Sequence, residues 1–178
     1  MSQKINIASI IKSHIKTLRS ADTSTMSYSD IITFFIIPLI FAYGIVWADL
    51  HIDEHTIFFI THVTSIIFVF LAFLLFIHKN QNKENRSISS LAKAKTILHN
   101  EMNDNVCYSV LIAIISIMLD FIFLIFSLSV ENGNNQMHQI SFILVMIKFI
   151  ILPLILFLFI HLLLTTIMII KRSHILLK

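Results

Sequence analysis

The chain is poor in charge, cysteine, glycine and proline. Of its 178 residues, 13% are charged and 57% are hydrophobic, whereas soluble domains average about 25% charged residues. The mean hydropathy of +0.87 therefore indicates an integral membrane protein. With two glycines and two prolines, the chain is neither low-complexity nor loop-rich.

A single cysteine, Cys107, excludes several kinds of chemistry. One thiol cannot form an internal disulfide, a C-x-x-C redox pair or a four-thiolate metal site. This argues against a membrane disulfide oxidoreductase. The N-terminus also lacks the early apolar core of a signal peptide, because the first continuous apolar run begins at Ile31. We expect the chain to keep its N-terminus and to insert through its own spans.

Four apolar stretches are long enough to cross a bilayer, which takes about 17–25 helical residues. They comprise residues 31–47, 56–77, 106–128 and 139–170. The fourth would be roughly 48 Å long as a helix, which exceeds the hydrocarbon core and predicts tilting or a kink at Pro153. The sequence thus predicts an all-α fold, with a segment 1–30 before a four-helix transmembrane domain 31–178.

The distribution of basic residues predicts the topology. Segments 1–30, 78–105 and 171–178 hold twelve of the thirteen Lys and Arg residues, and the loops 48–55 and 129–138 hold none. By the positive-inside rule, both termini and the loop 78–105 are cytoplasmic. We therefore expect a multi-pass membrane protein with this orientation.

The segment before the first span has the pattern of an interfacial amphipathic helix. Ile7, Ile11, Ile15 and Leu18 repeat at helical spacing on one face. Lys12, Lys16 and Arg19 lie beside that face. Such a helix can lie on the anionic inner leaflet. It can equally be a basic flank that sets the topology, or dock on a partner protein.

The cytoplasmic loop 78–105 begins with a polar stretch and then predicts a helix from about Ser90. Leu91, Ala94, Leu98 and Met102 form its apolar stripe. This helix can continue into the third span. With Lys93 and Lys95, the loop is either a connector or a docking platform for a partner.

Asp120 and Lys148 are the two formal charges inside predicted spans. A charge near the bilayer centre costs roughly 2.5–3.5 kcal/mol on insertion scales. The short turn around Asn134 makes spans three and four antiparallel neighbours. Both charges lie at equal sequence distance from Asn134, so the sequence predicts an ion pair at matched depth. The pair could lock the helices together, within or between subunits, or Asp120 could be the exchange site of an ion or proton pathway.

The nine histidines do not form a recognisable metal or haem site. In His51–His55, "HIDEH", Ile52 occupies the place that zinc proteases reserve for glutamate, so we interpret this stretch as a wet outer loop. Haem needs two axial histidines at one depth, and His62 and His161 differ in predicted depth. His78 and His161 match better, but both lie near the inner interface. We expect no metal, no cofactor, no catalytic residues and no direct binding of nucleic acid.

The first span and its approach, "HIKTLRSADTSTMSYSDIITFFIIPLI", show a recognisable arrangement. A basic helix ends in "TLR", a polar link leads to Ser29–Asp30, and Phe34, Phe35 and Pro38 open a short span. This resembles the small four-helix membrane proteins of bacterial phage-defence operons, most nearly the membrane component of the Kiwa system (KwaA-like). The resemblance implies a homo-oligomeric inner-membrane sensor of phage attack that holds a soluble DNA-binding effector on its cytoplasmic face.

The functional hypothesis is accordingly a non-enzymatic membrane sensor or scaffold that oligomerises and holds a cytoplasmic effector protein. Its outer loops are short, and its sizeable polar segments are predicted to be cytoplasmic. The surface for lipids or a partner would combine the basic residues named above with Lys171 and Arg172. The alternative is a pore or small transporter that conducts ions or protons through Asp120 and Lys148.

Overall fold

The computed structural model describes residues 7–18, 28–48, 52–81, 90–132 and 147–176, and these are almost entirely helical. A short helix comes first, a π-helical turn interrupts the first span, and a second π-helical turn opens the last. The elements are α1 (Ile7–Thr17), α2 (Tyr28–Ile31), the first π turn (Ile32–Ile36), α3 (Ile37–Trp47), α4 (Glu54–Gln81), α5 (Ser90–Asn132), the second π turn (Ile147–Ile151) and α6 (Leu152–Leu176).

Four helical segments of the described chain are long and apolar enough to cross a membrane, which confirms the all-α, four-span class. They are Tyr28–Trp47, Glu54–Ile77, Thr96–Ser127 and Phe149–Ile175. The helix expected from Ser90 does continue into the third span as α5. Residues 133–146, where the fourth span was predicted to begin, lie outside the described residues. The orientation of the termini stays a prediction.

Helices α5 and α6 form the centre of the bundle. Helix α4 packs on α5, α3 packs on α6, and α4 and α6 barely touch. In the most apolar 18-residue stretch of the fourth span, 50% of the residues are buried inside the protein. The corresponding fraction is 17% for the first and second spans. Large apolar side chains on the outer faces of α3 and α4 are therefore exposed to the surroundings of the bundle. That exposure is normal where the solvent is lipid.

Each proline follows a π-helical turn. Pro38 lies two residues after the first turn and Pro153 two residues after the second. Proline lacks the amide hydrogen that would bond the carbonyl four residues earlier, and a π turn is one way in which a helix accommodates such an interruption. A π turn thus precedes Pro153, the position where the sequence predicted a kink, and Pro38 in the first span has the same arrangement; the kink itself stays a prediction.

Two apolar clusters fill the interior at different depths. The first includes Ile57, Phe123 and Ile155, and the second includes Leu71, Met102, Val106, Ala113 and Leu162.

Four polar residues of α4 and α5 lie between the two clusters in sequence along their helices. These are Thr61, Thr64, Ser116 and Asp120, and we call them the mid-bundle polar layer.

Helix α1 packs on α5 through only the C-terminal part of the stripe that the sequence suggested. Its buried residues are His14 and Thr17, together with Leu18 just beyond its end. Ile7 and Ile11 remain exposed. The helix is rotated because His14 and Thr17 find hydrogen-bond partners on α5. The isoleucine stripe is left free, and its contact with a membrane stays a prediction.

Candidate functional site

A buried polar network joins α1 to the third and fourth spans, at the end of the bundle that we call the α1 end. His14 is fully buried and its ring stacks on Tyr108, with centroids 3.8 Å apart and an interplanar angle of 4°. His14 Nδ1 lies 2.8 Å from Asn105 Oδ1. Since an amide oxygen only accepts, this nitrogen carries the proton as the side chains are placed.

Thr17 ties the end of α1 to the same asparagine. Its hydroxyl lies 2.6 Å from Asn105 Oδ1 and 2.8 Å from the carbonyl of His14, and its one proton can serve either acceptor. Asn105 is fully buried. Its side-chain oxygen lies within hydrogen-bond distance of both His14 and Thr17, one helical turn apart, and these contacts fix the position of α1 along α5.

His161 on α6 extends the network to the first span. His161 Nδ1 lies 2.7 Å from the carbonyl oxygen of Phe34, so it must donate, and Nε2 then accepts from the Tyr108 hydroxyl at 2.9 Å. The carbonyl of Phe34 is available because Pro38, four residues later, has no amide hydrogen. A sequence feature of the first span thus creates the acceptor that holds the fourth.

Arg172 on α6 forms the edge of the network, where it contacts the C-terminal end of α1. Its Nη2 donates to the carbonyl of Thr17 at 3.0 Å, at the end of α1 where helical carbonyls lack donors. Its Nη1 lies 3.6 Å from Glu101 Oε2, at the edge of salt-bridge distance. A cation at a helix C-terminus also favours the helix dipole. Arg172 therefore supports α1 itself.

The electrostatics of this network favour a neutral His14. Burial lowers the pKa of His14 to about 4, and the proximity of His161 and of the Arg172 guanidinium acts in the same direction, while the hydrogen bond to Asn105 opposes them. The second nitrogen, Nε2, has no hydrogen-bond partner among the described residues. A proton added there would place a poorly compensated charge in the interior.

The network is a set of hydrogen bonds and ring contacts between helices. Within the described residues, no group of three or more His, Cys, Asp or Glu side chains is arranged to hold a metal ion. What the geometry provides is a chain of contacts from Phe34 through His161 and Tyr108 to His14. A displacement of any one of these elements would disturb the others.

Asp120 is fully buried in the mid-bundle polar layer, and its described partner is Thr61. Oδ2 lies 3.0 Å from the Thr61 hydroxyl, whereas Oδ1 has no hydrogen-bond partner among the described residues. Thr61 was not predicted as a partner, because threonine carries no charge and the predicted partner of Asp120 was Lys148 on the fourth span.

The second π turn, which carries Lys148, packs on α5. The bond between Tyr108 and His161 sets the register of the antiparallel helices α5 and α6. Asp120 and Phe149 are each about 18 Å from that bond along their own helices. The backbone beside Lys148 is thus near the depth of Asp120. The Lys148 side chain lies outside the described residues, and the ion pair stays a prediction.

One face of α5 carries polar residues through much of the bundle. Asn105, Ser109, Ser116 and Asp120 recur at helical spacing, and all four are fully buried. Ser109 and Ser116 have hydroxyls without a hydrogen-bond partner among the described residues. The face spans about 22 Å between Asn105 and Asp120. It links the mid-bundle polar layer to the network at the α1 end.

Three of the basic residues predicted to contact lipid or a partner are exposed at the α1 end. They are Lys12, Lys16 and Lys171. Arg172 is engaged within the protein, as described above. Arg19 lies outside the described residues, as do the side chains of Lys93 and Lys95.

The "HIDEH" stretch contains a helix start. Asp53 Oδ1 accepts hydrogen bonds from the Thr56 amide at 2.9 Å and from the Thr56 hydroxyl at 2.6 Å. These bonds hold the pKa of Asp53 below its ordinary value, as expected for a carboxylate that caps α4. The interpretation of this stretch as an outer loop needs no metal, and Asp53 has a structural role.

The sequence analysis did not identify His14, Asn105 and Tyr108. A signal was present, since His14 and Thr17 share a helical face with Leu18. That face looked like part of an apolar stripe, and the asparagine that it binds is distant in sequence.

Comparisons of the chain with protein-family models, with curated proteins and with solved structures found no match.

Proposed function

We propose that the chain is a non-enzymatic, multi-pass scaffold of the bacterial inner membrane that oligomerises and holds a cytoplasmic effector protein at its α1 end. The observation that carries this proposal is the buried attachment of α1 by His14, Thr17 and Asn105. It gives α1, with its exposed lysines, a defined position relative to the spans. A basic helix that only set the topology would not need such an attachment.

The resemblance to the Kiwa membrane component adds a biological setting, in which the bundle would sense phage attack at the envelope. Coupling would run from the first span through His161 and Tyr108 to α1, where the effector is held. Lys12 and Lys16 would attract an acidic surface of that effector, and the neighbouring isoleucines would contact lipid or the same partner.

The test is co-purification from membranes of cells that carry the whole operon. The tagged chain should recover a soluble protein encoded by a neighbouring reading frame. Reversing both exposed charges, Lys12→Glu with Lys16→Glu, should reduce recovery roughly tenfold or more, because two attractive contacts become repulsive. Both side chains are exposed, so α1 should remain docked.

His55→Glu is the matched control, since His55 is exposed at the opposite end of the bundle. It adds negative charge without touching the proposed surface, and it should leave recovery unchanged. Recovery of no cytoplasmic partner by the unmodified chain would count against the proposal. Equal loss of the partner in the Lys12→Glu, Lys16→Glu double variant and in the His55→Glu control would also count against the proposal.

A second candidate, an ion- or proton-conducting bundle, is favoured by the buried polar face of α5. Conduction needs polar groups inside the membrane. Because such groups cost free energy to bury there, their presence often marks a functional pathway. The purified chain in liposomes should then pass protons or ions down an applied gradient, and Asp120→Asn should reduce that flux. Liposomes that stay impermeable with the unmodified chain would eliminate this candidate.

A further inference from the structure

When Asp120 is ionised, two acceptors compete for the single proton of the Thr61 hydroxyl. The Thr61 hydroxyl lies 2.9 Å from the carbonyl oxygen of Ile57 and 3.0 Å from Asp120 Oδ2. A hydroxyl has one proton and two lone pairs. If Asp120 is ionised, Thr61 can donate to only one of these two acceptors at a time.

A protonated Asp120 removes the conflict. Its own hydroxyl donates to Thr61 Oγ1, and Thr61 donates in turn to the carbonyl of Ile57. Each of the two hydroxyl protons then has its own acceptor, while Asp120 Oδ1 has no hydrogen-bond partner among the described residues. The neutral acid also avoids the cost of burying a charge at membrane depth, which is several kcal/mol for an isolated carboxylate.

The surroundings of Asp120 supply hydroxyls. Thr64 and Ser116 lie one helical turn closer to the α1 end, on the same faces as Thr61 and Asp120. Both are fully buried, and their hydroxyls have no hydrogen-bond partner among the described residues. One carboxyl group and three hydroxyls suffice to hold a proton. Hard metal cations, by comparison, take about six or more oxygen ligands.

The titratable groups near this layer are few. On α4, the exposed His62 bonds its own helix through the carbonyl of Phe58. Glu54 accepts from Ser127, about 10 Å farther along α5 than Asp120. From the second π turn, Lys148 is the partner that the sequence predicts for an ionised Asp120. Proton binding would then convert a paired carboxylate into the neutral acid.

From this geometry we infer that Asp120 is a proton-binding site, whose exchangeable proton is donated to Thr61 within the mid-bundle polar layer. The inference goes beyond the scaffold proposed above and does not depend on it. A scaffold with such a site would register protonation inside the membrane. A conducting bundle would use the same site as a step of its pathway.

Infrared difference spectroscopy on the full chain in lipid bilayers tests the site. With ¹³C-labelled aspartate carboxyl groups, we expect the C=O stretching band of a protonated acid at pH 7, and its loss in Asp120→Asn. The band should shift when H₂O is replaced by D₂O, because the proton exchanges. Thr61→Val should move it to higher frequency, since the hydrogen bond is lost, whereas the control Thr61→Ser should leave it in place.

Three results would overturn the inference. A carboxylate band alone at pH 7 would mean that Asp120 is ionised, as in a permanent ion pair. A protonated band that does not respond to D₂O would mean an acid that does not exchange. Loss of the band when choline chloride is replaced by sodium chloride would identify a sodium site. Since the spectra need neither partner nor flux, these failures are distinct from those of the proposed functions.

Discussion

Lowering the pH from 7 to 4 should release α1 from the bundle. His14 is fully buried when α1 is docked, and it would be solvated when α1 swings away. Because the docked pKa is about 4 and the ordinary value is 6.5, the undocked state binds more protons at every pH between these values. Docking is therefore weakened as acid is added.

The size of the effect follows from linkage. Above pH 6.5 His14 is neutral in both states, and its contribution to docking is fully present. Between pH 6.5 and about 4 the contribution is lost progressively, at about 1.4 kcal/mol per pH unit. The total is about 3 kcal/mol, which is enough to undock a single short helix held by three hydrogen-bonding side chains.

Spin labels can measure this release in bilayers. With Cys107→Ser to remove the native thiol, labels at Lys12→Cys and Lys171→Cys would report the distance between α1 and α6. Both native side chains are exposed, so the labels should not disturb the network. We expect one narrow distance distribution at pH 7 and a broad, longer one at pH 4, with unchanged helical circular dichroism.

The control replaces the titrating ring but keeps the aromatic contact. In His14→Phe the side chain can still stack on Tyr108, but it cannot bind a proton. Docking should be weaker at pH 7, because the bond to Asn105 is lost, and it should no longer change between pH 7 and 4. A wild-type distance that stays narrow down to pH 4, or a pH response that survives in His14→Phe, would contradict the prediction.

The number of spans was predictable because hydropathy is a one-dimensional property. Runs of apolar residues indicated four spans, and the apolar stripe from about Ser90 indicated the start of α5. Positive charge predicted an orientation. None of these signals contains the rotation of a helix about its axis, so none could show that His14 rather than Ile11 faces α5.

The hydrogen-bond partners of the buried polar residues could not be predicted from the sequence, for a related reason. Threonine contributes almost nothing to a hydropathy profile, so Thr61 gave no sign that it bonds Asp120. From the sequence, His161 was interpreted as an ordinary residue near the inner interface, and Tyr108 was not singled out. Their role depends on the register of antiparallel helices, which the sequence constrains only through a loop of uncertain length.

His161→Phe should destabilise the bundle by about 2–4 kcal/mol, because it leaves two buried groups without a partner. The carbonyl of Phe34 would lose its donor, and the Tyr108 hydroxyl would lose its acceptor. Phenylalanine is the appropriate replacement, since the ring of His161 already packs among Phe35 and Phe157. The loss then reports hydrogen bonding rather than a cavity.

Pro38→Ala should rescue part of this loss. An amide hydrogen at position 38 can bond the carbonyl of Phe34 in the regular helical pattern, and this acceptor then no longer depends on His161. In the wild-type background the change should have little effect, because the carbonyl is already satisfied. In the His161→Phe background it should recover about 1 kcal/mol. The two substitutions are thus expected to be non-additive.

The measurement is reversible unfolding in mixed micelles, followed by helical circular dichroism, for the wild type, both single variants and the double variant. A double variant as unstable as the sum of the single variants would show that the Phe34 carbonyl does not depend on His161. Leu154→Phe, at an exposed position of α6, controls for the added ring and should leave stability unchanged. If the two substitutions are non-additive as expected, a proline in the first span is coupled energetically to a histidine in the fourth. That coupling is the link by which the first span could influence α1.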